Sequence, residues 1–404
     1  MSSLKPESIE QLKALVRNAA SQGQAIYPLG GSTALDQGLL ASHPGVGIDL
    51  RQLSQVIDYP ARDMTITVQA GITIGRLSEI LASENQRLPI DVPFPELATL
   101  GGAIATNVSG PRRYGFGTFR DYVIGITAIN DRGEETKAGG RVVKNVAGYD
   151  MCKLHIGALG TLGIISQVTL KVRPRPESHA IVVFGCKDDD FAGVLDRLHH
   201  TRTQPVCLEL LNALSAQRIE EYWKLNLPAD PWLLLIGFEH NQEAVDWQVE
   251  EIQKEITCAN SGVEAFKGAD AEPLWNALTE IMYKPKPSLV FKANLLPSAT
   301  PDFCRWLNQR DIFPCLQSHA GNGIVTGRFE ADQELGPVQR FLHEALGRVQ
   351  AHKGNLILLQ CPVAWRKTLP VWGAPRPDNW LMRAVKNKLD PRGLFNPGRF
   401  VDGI

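Results

Sequence analysis

Three glycine-rich runs, each lying beside a stretch of strand character, limit what this chain can fold into more than any other feature. The first is Gly30-Gly31-Ser32-Thr33, which follows the strand-like Gln24-Ala25-Ile26-Tyr27 through Pro28 and Leu29. The second runs from Thr99 through Gly101, Gly102, Thr106 and Ser109 to Gly110, and the third from Gly157 through Gly160 and Gly163 to Ile165. Consecutive glycines let backbone N–H groups turn toward one point, and the hydroxyls of Ser32 and Thr33 add donors, a nest suited to a pyrophosphate. Small residues in the second run allow close backbone approach to a large flat ligand. None of the three has the Gly-x-Gly-x-x-Gly spacing between strand and helix, which excludes a nicotinamide-binding Rossmann domain. Any one run alone is an ordinary turn; the three together, in this order, form a pattern.

The segments between the runs predict an alternation of helix and strand. Ile9, Leu12, Val16 and Ala19 make one apolar stripe at helical spacing, and Met64 to Gln69 alternates as a half-buried strand does. Thr73 stands where an N-cap belongs, ahead of Ile74, Leu77 and Leu81, whereas Pro93 to Gly117 reads mostly as loop. Tyr122 to Asn130 and Gly163 to Val172 close a first domain, 1–176, at Arg173-Pro174-Arg175-Pro176. A second domain, 177–365, has strands separated by amphipathic helices, which predicts an antiparallel sheet covered by helices on one face. A C-terminal segment, 366–404, returns to the first domain; in it Asp378 is placed to cap a helix carrying Leu381, Val385 and Leu389. The fold class is therefore α+β.

The 404 residues are long enough for two or three domains, and 42 basic against 43 acidic side chains give no electrostatic reason to expect nucleic acid or an anionic membrane. No apolar run is long enough to cross a bilayer and the start lacks signal-peptide character, so a cytoplasmic protein without a transmembrane segment is expected. The seven cysteines never form Cys-x-x-Cys, which argues against a disulfide framework, a zinc site or an iron–sulfur cluster on this chain.

With Pro28-Leu29-Gly30-Gly31-Ser32-Thr33, then Val68-Gln69-Ala70-Gly71, Thr99-Leu100-Gly101-Gly102 and Gly160-Thr161-Leu162-Gly163, the sequence resembles the FAD-binding (PCMH-type) domain of the vanillyl-alcohol oxidase flavoprotein family. Gly110-Pro111-Arg112-Arg113, Arg120-Asp121, Val143 to Asp150 and Leu389 to Arg399 resemble the FAD-binding E subunit of bacterial glycolate oxidase. The resemblance is strong over 1–176 and the C-terminal stretch and weak between. It implies a two-lobed FAD domain with an α/β cap domain. It also implies cofactor contacts from Pro28, Leu29, Gly30, Gly31, Ser32, Thr33, Gly71, Thr99, Gly101, Gly102, Thr106, Ser109, Gly110, Gly163, Ile165, Asn396 and Arg399. Several relatives link flavin covalently through a His near the first loop or a Cys near the second. Here Ser32 and Thr33 occupy the first loop and no Cys lies between Pro89 and Gly117, so non-covalent FAD is expected.

Oxidising a 2-hydroxy acid requires a cation for the carboxylate, a base for the hydroxyl proton and flavin N5 as hydride acceptor. His319-Ala320-Gly321-Asn322-Gly323 resembles the His-x-Gly-Asp-Gly-Asn-x-His motif of catalytic-subunit relatives. Asn322, Ile324 and Thr326 replace its Asp, Asn and second His, so no metal site is expected. His319 is either a structural histidine or a substrate-facing one. Lys292 is either a solvated lysine or a carboxylate partner, and Arg328 is a second carboxylate candidate. Arg112 and Arg113 flank a cofactor loop; His199-His200 ends a helix; Trp365, Trp372 and Trp380 are expected to pack between cap and tail.

Two functions follow from the resemblance. One is an FAD-dependent oxidation of glycolate or D-lactate with onward electron transfer through a partner. The other is a non-catalytic FAD-binding electron-transfer or scaffold subunit. In both, a paralogous flavoprotein subunit and an iron–sulfur subunit are expected partners, and a complex offers peripheral attachment to the inner membrane. An aldonolactone or sugar oxidase of the same fold is a third reading.

Overall fold

Leu12, Val16 and Ala19 are 0–2% exposed, so the predicted stripe is the buried side of a helix, Ile9–Ser21, which Ser8 caps by accepting a hydrogen bond from the Gln11 N–H. The computed structural model describes residues 3–140, 149–256, 262–330 and 333–404, which leaves most of the Val143 to Asp150 motif and Cys258 outside the described residues. Contacts divide the chain into two units, Met1–Ser109 with Gly117–Arg175 and Pro375–Ile404, and Gly110–Phe116 with Pro176–Ala374.

In the first unit, β1 (Ser3–Leu4), β2 (Ala25–Leu29) and β3 (Gly45–Asp49) form a parallel sheet in the order β1-β3-β2. Next come β4 (Val56–Asp58), β5 (Thr65–Gln69), β6 (Gln86–Arg87), β7 (Val123–Ile129), β8 (Glu135–Gly139), β9 (Ile164–Lys171) and β10 (Arg173–Pro174). Five of them make an antiparallel sheet, β4-β5-β9-β7-β8, and β10 pairs with β6. β5, paired on both edges with β4 and β9, is buried at Thr65, Ile66, Val68 and Gln69, more than the half-buried strand expected. One hydrophobic cluster joins both sheets to the C-terminus: Leu12, Val16, Ile26 and Ile48 pack with Ile129, Ile164, Leu394 and Phe395.

The second unit is an eight-stranded antiparallel sheet of β11 (Ser178–Cys186), β12 (Cys207–Asn212), β13 (Trp232–His240), β14 (Val263–Lys267), β15 (Leu289–Asn294), β16 (Cys315–His319), β17 (Ile324–Phe329) and β18 (Asn355–Gln360). Its order is β14-β11-β13-β12-β16-β17-β15-β18. Helices cover both faces, not one. Helices Ala213–Trp223 and Glu272–Glu280 pack through Ile219, Leu274 and Leu278 on the face carrying Cys207, Leu211 and Cys315. On the other face Phe341, from helix Leu335–Ala351, meets the rings of Phe291 and Phe329 at 5.9 and 5.1 Å. The cause lies in strands apolar at consecutive positions, such as Ile181-Val182-Val183-Phe184, which bury both sides.

Two local expectations are corrected. Asp378 occupies the N-cap of helix Asn379–Leu389 without capping it, because Arg376 binds its carboxylate at 3.1 Å. Trp380, expected to be packed, is 69% exposed. Among the described residues, no helix is long and apolar enough to cross a membrane.

Candidate active site

The first unit gathers its glycine-rich runs into one cluster. Thr99 caps the helix Leu100–Thr106, a helix inside the stretch read mostly as loop, by accepting from the Gly102 N–H at 3.3 Å. The Gly101 N–H donates to Ala70 O at 2.8 Å, which brings Gly71 to the second run. At Gly31 a Cβ would lie 1.7 Å from Leu97 O, so the first run is seated on the second at a distance only glycine permits. The third run joins from the other side, where Gly157 N–H and Leu159 N–H donate to Ile104 O and Ala105 O at 2.9 and 2.8 Å. The C-terminal stretch closes the cluster: Asn396 Nδ2 donates to Leu159 O at 2.6 Å, and the Arg399 guanidinium donates to Leu35 O at 2.8 Å and to Gln37 O.

This cluster has donors and acceptors to offer. Among the described residues no acceptor meets the backbone N–H groups of Gly30, Gly31, Ser32 or Thr33. Asn107, in the left-handed conformation that ends helix Leu100–Thr106, keeps a buried Oδ1 without a donor. A concave set of free N–H groups is an anion site, and an orphaned buried carbonyl oxygen calls for a ligand N–H. The Thr106 hydroxyl donates to Gly102 O at 3.0 Å. Ile165 lies in β9 in register with Ala128 of β7. Pro28, Leu29, Ser109 and Gly163 also belong to this unit, whereas Gly110 belongs to the second.

The second unit carries a polar face. Across β12, β16, β17 and β15, Glu209 stands opposite His319, and Gln317, Thr326 and Lys292 stand in line, which puts their side chains on one side of the sheet. His319 Nδ1 lies 2.6 Å from Glu209 Oε1, and Gln317 Nε2 donates to Glu209 Oε2 at 2.9 Å. Glu209 is 0% exposed, and these two neighbours supply its buried carboxyl with hydrogen-bond partners. With Glu209 accepting a hydrogen bond from Nδ1–H, the imidazole is oriented and Nε2 is left to accept a proton from a ligand. Lys292 has no hydrogen-bond acceptor among the described residues. Burial, aided by the positive charge of Arg113, lowers its pKa to about 8. Tyr114 lies beside Gly321, and Asn322 keeps a buried Oδ1 without a donor.

Arg328 stands apart from this group. It is 0% exposed, and it donates to Ile281 O at 2.7 Å, Lys284 O at 3.0 Å and Pro285 O at 2.9 Å. Its guanidinium ties down the chain after helix Glu272–Glu280 and also donates to Glu330 Oε2 at 3.3 Å, while its buried Nε has no partner among the described residues. Sequence reasoning missed Glu209 and Gln317. The available signal was a single acid inside the apolar run Cys207-Leu208-Glu209-Leu210-Leu211. His200 accounts for itself as a helix end, its Nδ1 lying 3.2 Å from Asp196 O. Among the described residues no cluster of His, Cys, Asp or Glu is arranged to hold a metal ion.

Comparison with known proteins adds to this geometry. Residues 3–139 match the family described as "FAD binding domain", and residues 175–357 with 377–400 match "FAD linked oxidases, C-terminal domain". Glycolate oxidase subunit GlcD of Bacillus subtilis (strain 168) is 26% identical over 98% of this chain and 87% of its own length. D-2-hydroxyglutarate dehydrogenase of Stutzerimonas stutzeri (strain A1501) is 29% identical over 98% of this chain and 89% of its own. Glycolate oxidase subunit GlcE of Escherichia coli (strain K12) is 37% identical over a shorter stretch, 33% of this chain and 39% of its own. A solved structure of alkyldihydroxyacetonephosphate synthase shares the fold, with TM-score 0.67 at 17% identity over 98% of this chain and 76% of that one.

Proposed function

The chain belongs to the FAD-linked oxidases and uses FAD, and from that premise we propose that it oxidises a small 2-hydroxy acid. The observation that carries the proposal is the sheet face on which a Glu209-oriented histidine shares its side with a lysine that has no counter-ion among the described residues. The relatives that align over nearly the whole chain, named for glycolate oxidase and D-2-hydroxyglutarate dehydrogenase, support the same substrate class.

The amides of Gly30, Gly31, Ser32 and Thr33 would hold the FAD pyrophosphate, with Gly71, Thr99, Gly101, Gly102 and Asn107 beside the rest of the cofactor and Asn396 and Arg399 closing its wall. They hold it without a covalent bond. FAD, when bound, supplies the two-electron acceptor for the substrate C–H bond. Lys292 and Arg113 bind the substrate carboxylate, which replaces the water that burial has removed from Lys292. His319 accepts the substrate hydroxyl proton at Nε2, while Glu209 stays ionised and stabilises the imidazolium that forms. Gln317 fixes Glu209 through its second oxygen.

The GlcE alignment supports a second reading, in which this chain is the FAD-binding subunit of a glycolate oxidase complex. Its partners would be a paralogous flavoprotein and an iron–sulfur subunit, and the complex would be cytoplasmic or peripheral to the inner membrane. One experiment separates the two. The anaerobic visible spectrum of the purified holoprotein is recorded before and after glycolate, D-lactate or D-2-hydroxyglutarate. Bleaching by any of them supports the isolated chain as a dehydrogenase. A spectrum that bleaches only after the paralogous subunit is added supports the second reading, and one that bleaches with neither refutes both.

A further inference from the structure

The short segment Gly110–Phe116 leaves the first unit and packs with the second, and its attachment there is built residue by residue. Arg112 Nε donates to Glu239 Oε1 at 2.6 Å, with the Glu239 side chain 1% and the Arg112 side chain 18% exposed. The Arg112 guanidinium also lies over the Trp275 ring, 3.9 Å from its centroid. Gly237 makes room for that ring, since a Cβ there would come within 2.4 Å of it. Further along the segment, Gly115 N–H donates to Val206 O at 3.1 Å, and Phe116 packs on the hydrophobic cluster of the second unit. Between these anchors stand Arg113, whose charge acts on Lys292, and Tyr114, which abuts Gly321.

We infer that Arg112 is a positioning residue: clamped between Glu239 and Trp275, it registers the segment Gly110–Phe116 so that Arg113 is held against Lys292. An arginine suits this task because its flat guanidinium can stack on an indole while its edge meets a carboxylate, and both contacts fix direction as well as distance. Burial makes the clamp consequential, because removing Arg112 takes a close cation away from the buried Glu239 carboxylate. Among the described residues, Arg113 is the one charge that acts on Lys292 besides burial, and the residues in register with Lys292, Thr326 and Ile357, are uncharged. The clamp therefore sets the charge that a substrate anion meets. The inference rests on the proposed hydroxy-acid reading only for that consequence in turnover.

Its test reads Lys292 directly. The FAD-loaded protein is acylated with acetic anhydride across a pH series, and modification of Lys292 is followed by mass spectrometry with the exposed Lys388 as internal reference. The wild-type midpoint is expected near 8, and Arg113→Gln is expected to raise it by about half a pH unit, the scale of a partly screened like charge. Arg112→Met is expected to raise it equally although Arg113 is intact, with Arg112→Lys between the wild type and Arg112→Met. A midpoint in Arg112→Met equal to the wild type, or no shift in Arg113→Gln, overturns the inference. Should Arg112→Met fail to yield holoprotein, Glu239→Gln reads the same midpoint with the same two outcomes. In turnover the shifted variants are expected to raise KM for the hydroxy acid several-fold with a smaller change in kcat. A shifted midpoint with unchanged KM refutes the role of Lys292 in substrate binding and leaves the clamp standing.

Discussion

Replacing Lys386 by methionine tests whether the C-terminal helix holds the cofactor loops in place. Lys386 Nζ donates to Thr161 O at 2.7 Å, Asp390 Oδ2 at 2.6 Å and Phe395 O at 3.0 Å. The lysine side chain is 8% exposed and that of Asp390 is 0% exposed. Asp390 also accepts from the Leu394 and Phe395 N–H groups at 3.1 and 2.9 Å. One ammonium thus pins the third glycine-rich run to the stretch that carries Asn396. Methionine keeps the aliphatic bulk but leaves a buried carboxylate without its cation and two carbonyls without a donor. Breaking a buried pair from one side costs about 3–5 kcal/mol. The expected loss of stability in Lys386→Met is therefore about 4 kcal/mol, seen as a fall in Tm of about 10 °C. Adding Asp390→Asn removes the stranded charge and should recover about 1–2 kcal/mol. The assay is urea unfolding followed by circular dichroism and by release of FAD fluorescence, on both variants. A loss below about 1 kcal/mol in the single variant, or no recovery in the double, refutes the reasoning.

Three further outcomes are expected. Glu209→Gln should slow anaerobic flavin reduction by the hydroxy acid about 10²–10⁴-fold in stopped-flow measurements, because the amide no longer fixes the imidazole tautomer or stabilises its cation; a rate within threefold of the wild type would refute the pairing. KM for the hydroxy acid should rise as pH passes about 8, where Lys292 loses its proton, and Lys292→Arg should flatten that rise because a guanidinium stays charged; a flat wild-type profile refutes it. Gly31→Ala places a Cβ 1.7 Å from Leu97 O, so the purified protein should keep its circular dichroism and lose most of its FAD, read as the ratio of flavin to protein absorbance.

How far the sequence revealed this molecule depended on whether a property is local. Thr73 and Thr99 both cap helices, each through a hydrogen bond set by residues three positions apart. Thr73 stood out beside a clear apolar stripe; helix Leu100–Thr106 did not, because its Gly-Gly-Ala composition resembles a loop. The glycine runs were legible as a group, but their mutual seating, such as Gly31 against Leu97, appears only once the chain is folded. The same holds for Glu209 and His319, 110 positions apart, which meet because β12 pairs with β16. Lys292 was as readily a solvated lysine, since alternation shows which side of a strand a residue takes and not what covers that side. β17 and β18 flank it in the sheet, and burial together with the charge of Arg113 opposes its own charge. Two-sided helix coverage, in contrast, was present in the sequence, in strands apolar at every position.

The charges of the polar face also restrict what it can bind. Glu209 is hydrogen-bonded within the protein by His319 and Gln317, and Arg328 donates to backbone carbonyls and to Glu330. Lys292 differs, because burial and Arg113 both oppose its charge and no described residue accepts from it. A neutral ligand would leave that opposition in place. An anion removes it, and by stabilising the ammonium it raises the Lys292 pKa on binding. Linkage then requires that anion binding take up protons when the pH lies near or above about 8, and take up none well below, where Lys292 is already charged. Calorimetric titration of the oxidised holoprotein with a non-oxidisable carboxylate, in buffers of different ionisation enthalpy, reads that uptake directly. Uptake independent of pH, or unchanged in Lys292→Arg, would show that the anion meets some other group.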